Sequence, residues 1–527
     1  MKSGIINLRK EIFNNLKHKA FSYEGHVSSE LTEYKVNQEM LSKRAFSKSN
    51  IDELQKAVAQ SSAIYLGDFH TFDQNIRNVL RIVKYLVQNE DKCIIALEMV
   101  DAKYQLYIDS YLEGHITDLE FLESIEYHDS WRFPWSHYKL IFELAKANGI
   151  KIIGLNTSGS LSQRDLFASK LISSILKKES ISKVLVVYGE LHISKNKIPS
   201  QVAKLCGSKQ TIIHQNLDEV YWNQIEDKHS SEIVKFDENE FCINSAPPWI
   251  KYESMIYWYE NLCDDPDFDI HEYIIENGKK IFSDDTNDNF SVLCNQLIQA
   301  TNLKIDEDEY NDFNIYDHTR LDFIEDKILE LNNIKEIEFY SFLISRGFSF
   351  RLPNLSSYYC SSYSVNRLAY LCGIHLFHIY NKDKSNLFSS LFTNKNDSAI
   401  IYNIYEHMFA YFFSKVINPH RKCALYKDFI INQNDSKSNK INRNILDHKN
   451  LSDILKDNEI SDLLVSSIDI GHVLGEYLYT TIATNNDQAS DIDKILGQLR
   501  FDDFSFQVFK NSILSNFNYK EHLKRYF

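Results

Sequence analysis

Four short runs of apolar, mostly β-branched residues constrain this chain more than any other feature. They are Ala63-Ile-Tyr-Leu66, Cys93-Ile-Ile-Ala-Leu97, Lys151-Ile-Ile-Gly-Leu155 and Val184-Leu-Val-Val-Tyr188, with a weaker fifth at Thr211-Ile-Ile213. Runs apolar at successive positions suit strands covered on both faces, as in a parallel sheet. Between them the apolar period changes to that of a helix. Asn75 to Gln88 aligns Ile76, Val79, Leu80, Ile82, Val83 and Leu86 on one stripe, and Tyr138 to Asn148 aligns Leu140, Ile141, Leu144 and Ala145 before the stop signal Asn148-Gly149. Arg164 to Lys177 supplies a third helix. Strands alternating with helices predict right-handed βαβ units, hence an α/β domain with a mainly parallel sheet.

A chain of 527 residues exceeds one core, and its character changes after about residue 230. Pro247-Pro248 marks a break, Trp249 to Leu262 is an aromatic amphipathic stretch, and 264–315 is acidic and reads as loop or solvated surface. From Asp317 onward, long stripes at 363–380, 400–416 and 463–482 predict a mostly α-helical C-terminal domain, with 381–396 and 431–450 as surface loops. The division expected is therefore an N-terminal segment 1–54, an α/β domain 55–230 and a helical domain 245–527. The net charge of −15 argues against a sequence-independent hold on nucleic acid. The eight cysteines form no Cys-x-x-Cys pair, so a thiolate zinc site is not suggested. No signal peptide, lipidation motif or membrane-length apolar run is seen, and the chain reads as cytoplasmic.

The chemistry-bearing residues sit at the strand ends. Gly-x-x-His occurs twice, as Gly67-Asp-Phe-His70 and Gly189-Glu-Leu-His192, each directly after a predicted strand. The second strand ends in Glu98 and the third in Asn156. In an open parallel sheet ligands bind beyond the carboxyl ends of the strands. His70, Glu98, Asn156 and His192 therefore share one edge. Two imidazoles and a carboxylate form a ligand set for zinc, or for iron with open positions, so His70, Glu98 and His192 are the candidate metal ligands, the alternative being a hydrogen-bonded polar cluster that only orders the loops. Asp68 and Glu190, two residues before each histidine, suit an acceptor that orients the ring or a general base. Trp131 and Trp135 lie in a dense loop and read more readily as packing residues than as walls for a flat ligand. No Gly-x-Ser-x-Gly elbow accompanies the serines.

The ordered set Ile64-Tyr-Leu-Gly-Asp-Phe-His70, Ala96-Leu-Glu-Met99 with Gln105, Tyr111-Leu-Glu-Gly114, Trp131, Ile153-Gly-Leu-Asn156, Arg164-Asp165 and Val187-Tyr-Gly-Glu-Leu-His192 with Pro199 resembles the ChaN-like haem-binding family. The resemblance covers about residues 55–225. The wider superfamily includes the metal-dependent Tiki proteases and the erythromycin esterases. It implies haem, or a divalent metal (iron, zinc or manganese), at His70, Glu98 and His192, with Asn156 beside them. A homodimer with the ligand between its subunits is one arrangement it allows. Many family members are exported lipoproteins and their haem is associated with a tyrosine ligand, whereas this chain shows neither an export signal nor an identifiable equivalent tyrosine. Two further readings stand beside a haem-binding protein: a metal-dependent hydrolase with water activated at the His/Glu/His set, and a protein-interaction module whose α/β site is vestigial.

Overall fold

The structure is a computed structural model. It describes residues 2–24, 27–178, 182–224, 232–261, 286–306, 313–317, 320–352, 357–362, 364–384, 396–423, 437–447, 450–484 and 492–515, with Leu387, Ser390, Phe392 and Phe429. Two compact units divide the chain: Leu16–Ile274 with the last three residues, and Ile275–Lys524 with Met1–Asn15.

The first unit is built on an eight-stranded sheet. Its strands are β1 (Ser47–Ser49), β2 (Ala63–Asp68), β3 (Cys93–Asp101), β4 (Lys151–Asn156), β5 (Lys183–Gly189), β6 (Gln210–Gln215), β7 (Ile233–Asp237) and β8 (Glu240–Ile243). They lie in the order β1-β7-β8-β6-β2-β5-β3-β4. The five expected strands are parallel to one another, as is β8 to β6, while β7 and β1 add two antiparallel pairings at the edge. The sheet thus runs past both expected limits of the α/β domain. β1 (Ser-Lys-Ser) carries no apolar residue, and β7 and β8 are too short to be distinguished from loops by pattern alone. The helix Pro248–Asn261 also falls within this unit.

Strand alternation decides which side chains face which layer. Ile64, Leu66, Ile95, Leu97, Leu185 and Val187 pack on one face against the helices Asp73–Gln88 and Trp135–Asn148. Ala63, Tyr65, Ile94, Ala96, Val184 and Val186 pack on the other against Leu161–Lys178 and Ile198–Cys206. The sheet is therefore covered on both sides, which is why its strands read as continuous apolar runs. Neighbouring strands β2 and β5 send their chains to opposite faces. That makes the gap beyond their carboxyl ends the topological switch point of a doubly wound sheet.

The second unit is largely helical. Val365–Tyr380, Asp397–Ile417 and Ile460–Thr484 form its centre, and Asp397–Ile417 is buried along nearly its whole length. The stripes expected at 363–380, 400–416 and 463–482 fall on these helices. A small sheet, β9 (Asn314–Asp317), β10 (Phe350–Leu352) and β11 (Ser357–Cys360), has no counterpart in the sequence pattern. Two expected loops are corrected in part. Within the acidic stretch, Thr286–Thr301 is a helix with Phe290, Leu293, Cys294 and Leu297 fully buried. Within 431–450, Lys437–Leu446 is a helix burying Ile441, Ile445 and Leu446. In both, a few apolar residues at helical spacing outweigh a polar composition. Much of 264–285 and 381–396 lies outside the described residues.

Candidate functional site at the switch point

Parallel pairing sets Asp68 opposite Gly189 across β2 and β5, and Leu97 opposite Val187 across β3 and β5. The register brings the ends of three strands level, so the residues just beyond them meet. A Cβ at Gly189 would lie 3.3 Å from Glu98 Oε2, 3.4 Å from His192 Cδ2 and 3.5 Å from His70 Cε1. His70, Glu98 and His192 therefore converge around one bare backbone position, and a side chain there would crowd all three.

Each imidazole is backed by a carboxylate. His70 Nδ1 lies 2.9 Å from Asp68 Oδ2, which also accepts a 2.6 Å hydrogen bond from the buried Tyr138 hydroxyl. His192 Nδ1 meets Asp165 Oδ1, whose second oxygen accepts from Tyr34 Oη at 2.8 Å. The Nε2 of neither ring makes a hydrogen bond among the described residues. An anchored Nδ1 with a free Nε2 is the arrangement in which histidine presents a fixed lone pair to a ligand. His70 is about one quarter exposed and His192 is buried. Burial of His70 disfavours a charged ring, but the Asp68 hydrogen bond and charge, with Glu98 beyond, outweigh it and raise its pKa above the ordinary value. Asp68 Oδ1 is buried without a hydrogen-bond partner.

Glu98 is held firmly. Its Oε2 accepts from the Gly189 amide at 2.6 Å, and its Oε1 pairs with Arg164. Arg164 Nε donates in turn to Asn156 Oδ1 at 3.0 Å, so Asn156 reaches the cluster through the guanidinium. Burial works against the Arg164 charge, and Glu98 restores it, leaving the guanidinium pKa raised. Glu98 is thus already neutralised by a cation. Among the described residues, no group of three or more His, Cys, Asp and Glu side chains is placed to hold a metal ion.

Glu190 is turned away from this cluster. Its carboxylate occupies the space beside Gly67, where a Cβ would overlap Oε2, and its Oε1 lies 2.5 Å from His214 Nδ1. His214 Nε2 is 3.2 Å from Glu240 Oε1, and Arg44 closes the chain on Glu240. Burial opposes the charged ring of His214, yet Glu190 and Glu240 outweigh it and raise its pKa to about 9. Glu240 would be raised by burial, but His214 and Arg44 hold it down to about 2.

An aromatic wall adjoins His70. Trp131 and Phe133 place their ring centroids 4.5 and 4.8 Å from the imidazole, and Trp258 of the Pro248–Asn261 helix packs on Phe133 at 4.8 Å. Arg132 between them has φ 64°, a left-handed conformation that a non-glycine residue seldom adopts. Trp258 Nε1 donates to the Arg132 carbonyl at 3.0 Å and ties down this turn. Trp131 is buried in the core and also touches His70, with its indole Nε1 lacking a partner. Trp135 packs among Tyr111, Phe121 and Phe142.

Tyr34, Tyr138 and Asp165 join the site, and His214 the neighbouring Glu190 cluster, without having been singled out by the sequence. Asp165 and Tyr138 lie within or beside the quoted motifs, but two-residue spacing points to Asp68 and Glu190 instead. The acceptor for His192 comes from the helix before its strand, and only the fold shows it.

The class this unit belongs to is the doubly wound α/β domain, here with paired imidazoles at its switch point. Residues 54–164 match the family model described as haem-binding uptake, Tiki superfamily, ChaN. The match takes in Asp68, His70, Glu98, Tyr138, Asn156 and Arg164 and stops before Asp165, Gly189 and His192. Two solved structures are similar to part of the chain. One, of ChaN from Campylobacter jejuni with cofacial haem binding, is 17% identical, covering 32% of this chain and 88% of that one, with a TM-score of 0.27. The other, the type III effector HopBA1, is 14% identical, covering 38% and 97%, also with a TM-score of 0.27. Likeness of this degree fixes no detail of the site. No curated protein matches the chain. No helix among the described residues is long and apolar enough to cross a membrane.

Proposed function

We propose that the α/β unit binds haem at the switch point, with His70 as the residue that meets the ligand and His192 supporting the same site from β5. The observation that carries this reading is the convergence of two carboxylate-anchored imidazoles, each with a free Nε2, around Gly189 in a domain that matches a haem-binding family model. Haem iron accepts an axial imidazole nitrogen, and its ring prefers an apolar, aromatic surround. His70 at the edge of the Trp131–Phe133–Trp258 wall meets both needs. The unpartnered Trp131 Nε1 and Asp68 Oδ1 are polar atoms that a bound group could satisfy. In this reading Asp68 and Asp165 orient the rings, and Glu98 with Arg164 and Asn156 fixes the β3 end of the crevice. Glu190 serves the His214 cluster rather than the ligand. A divalent metal at His70, Glu98 and His192 is disfavoured because it would have to displace Arg164 from Glu98. The unit is then a haem-binding part of a cytoplasmic protein.

Titration of the purified chain with haem, followed by its absorbance spectrum and paired with metal analysis, tests the proposal. Saturable binding at a defined ratio of haem to chain is expected, and the same ratio tells whether two copies share the ligand. Stoichiometric zinc or manganese in a chain that ignores haem would replace this reading with the metal-dependent hydrolase.

A further inference from the structure

The helical unit holds a second site-like feature. Helix Ile334–Ser345, strand β10 and the central helices enclose a cavity of about 30 Å³, lined by Tyr340, Phe350, Arg351, Tyr370, Asn403 and Glu406. It approaches the surface at Phe348, which is 37% exposed.

Two opposite charges stand inside it, each with one buried atom that lacks a hydrogen-bond partner. Glu406 is 6% exposed and its Oε1 accepts no hydrogen bond. Arg351 Nε lies 3.8 Å from that oxygen and donates none. This separation is too long for a hydrogen bond. Burying both partners without completing their bonds is costly, and a native fold that retains such a gap calls for an explanation. Burial pushes the Glu406 carboxyl up to about 6 even with Arg351 beside it. Two neighbouring polar groups are already engaged: Tyr370 Oη bonds His407 and His472, and Asn403 bonds Ser467.

The unmet demands define the missing group. Arg351 requires an acceptor and Glu406 a donor on nearby atoms. The two charges cancel, so the group must be neutral, because a net charge would be buried uncompensated. A cavity of this size admits only a few heavy atoms, with any larger remainder passing out beside Phe348. We infer that this pocket binds the primary carboxamide or urea head of a small neutral molecule, its carbonyl on Arg351 and its amide N–H on Glu406, with aromatic walls at Tyr340 and Phe350.

Isothermal titration of the full chain with benzamide, with benzoate and benzylamine as charged controls of the same shape, tests this. The expected result is saturable benzamide binding at least tenfold tighter than either control, and at least tenfold weaker in Arg351→Met and Glu406→Met. Each variant removes a buried charge from its partner and can impair folding, so a Phe348→Trp variant provides a second readout. All five native tryptophans lie at or before Trp258, and the fluorescence of the new indole should respond to acetamide at the pocket mouth. The proposal is overturned if benzamide binds no better than the controls or not at all. Unchanged affinity in folded Arg351→Met and Glu406→Met, or an indole at 348 indifferent to acetamide, would also overturn it, leaving the cavity to water.

Discussion

Asp165 shows most directly what a single residue contributes to the strand-end site. It is fully buried and accepts from both His192 and Tyr34. Asp165→Asn keeps the shape but exchanges an acceptor for a donor, leaving a buried polar group mismatched. Such a change costs about 1–3 kcal/mol, so urea unfolding of this variant should show that loss while Asp165→Glu recovers part of it. The His214 cluster makes a pH prediction. His214 is raised from an ordinary 6.5 to about 9, so its contribution is complete below pH 6.5 and is lost as pH rises through 9. Glu240 is lowered from 4.5 to about 2, so its contribution is present above pH 4.5 and is lost as pH falls through 2. His214→Gln should therefore destabilise most between pH 4.5 and 6.5, with the difference shrinking as pH rises past 9. A penalty that grows over that rise would contradict the arrangement.

Elements differ in how openly their residues announce them. The five parallel strands and their helices were legible because burial on both faces leaves unbroken apolar runs, and helix Trp135–Asn148 stops where Gly149 takes φ 62°. The short strands β1, β7 and β8 at one side of the sheet owe their pairing to a neighbour rather than to local pattern. At the site, His70, Glu98 and His192 could be placed together from strand ends alone, since topology carries them to one edge. The direction in which Glu190 points could not, because Gly67 and His214, distant in sequence, make the space and the partner. Helix contact in the second unit depends on glycine in a way that only packing reveals. A Cβ at Gly471 would fall 2.7 Å from His407 Cβ, and one at Gly475 would fall 2.6 Å from the Met408 carbonyl. Gly475→Ala should force Ile460–Thr484 away from Asp397–Ile417 at a cost of about 1–3 kcal/mol. Thermal unfolding measures that cost. The control is Gly497→Ala, where the nearest neighbour of the added Cβ is the Tyr380 hydroxyl at 3.4 Å, and its effect should be far milder.

For the whole molecule, division into two compact units predicts two unfolding events. In a denaturant titration, His214→Gln should shift only the transition of the α/β unit and Gly475→Ala only that of the helical unit. A single transition displaced equally by both would show that the units do not fold independently. The two proposed sites are likewise separate in chemistry. The strand-end site offers imidazole nitrogens beside a partly exposed aromatic wall, and the helical pocket offers a balanced pair of buried charges.

The proposal for the α/β unit, whose residues 54–164 match the family model, rests most heavily on His70. Haem titration of the intact chain beside His70→Ala, with His214→Gln as a control that alters a nearby buried histidine outside the crevice, tests it most directly. The account predicts a saturable Soret band in the native chain and the control, and at least tenfold weaker binding or a changed spectrum in His70→Ala. Equal haem affinity and an identical spectrum in all three would contradict it.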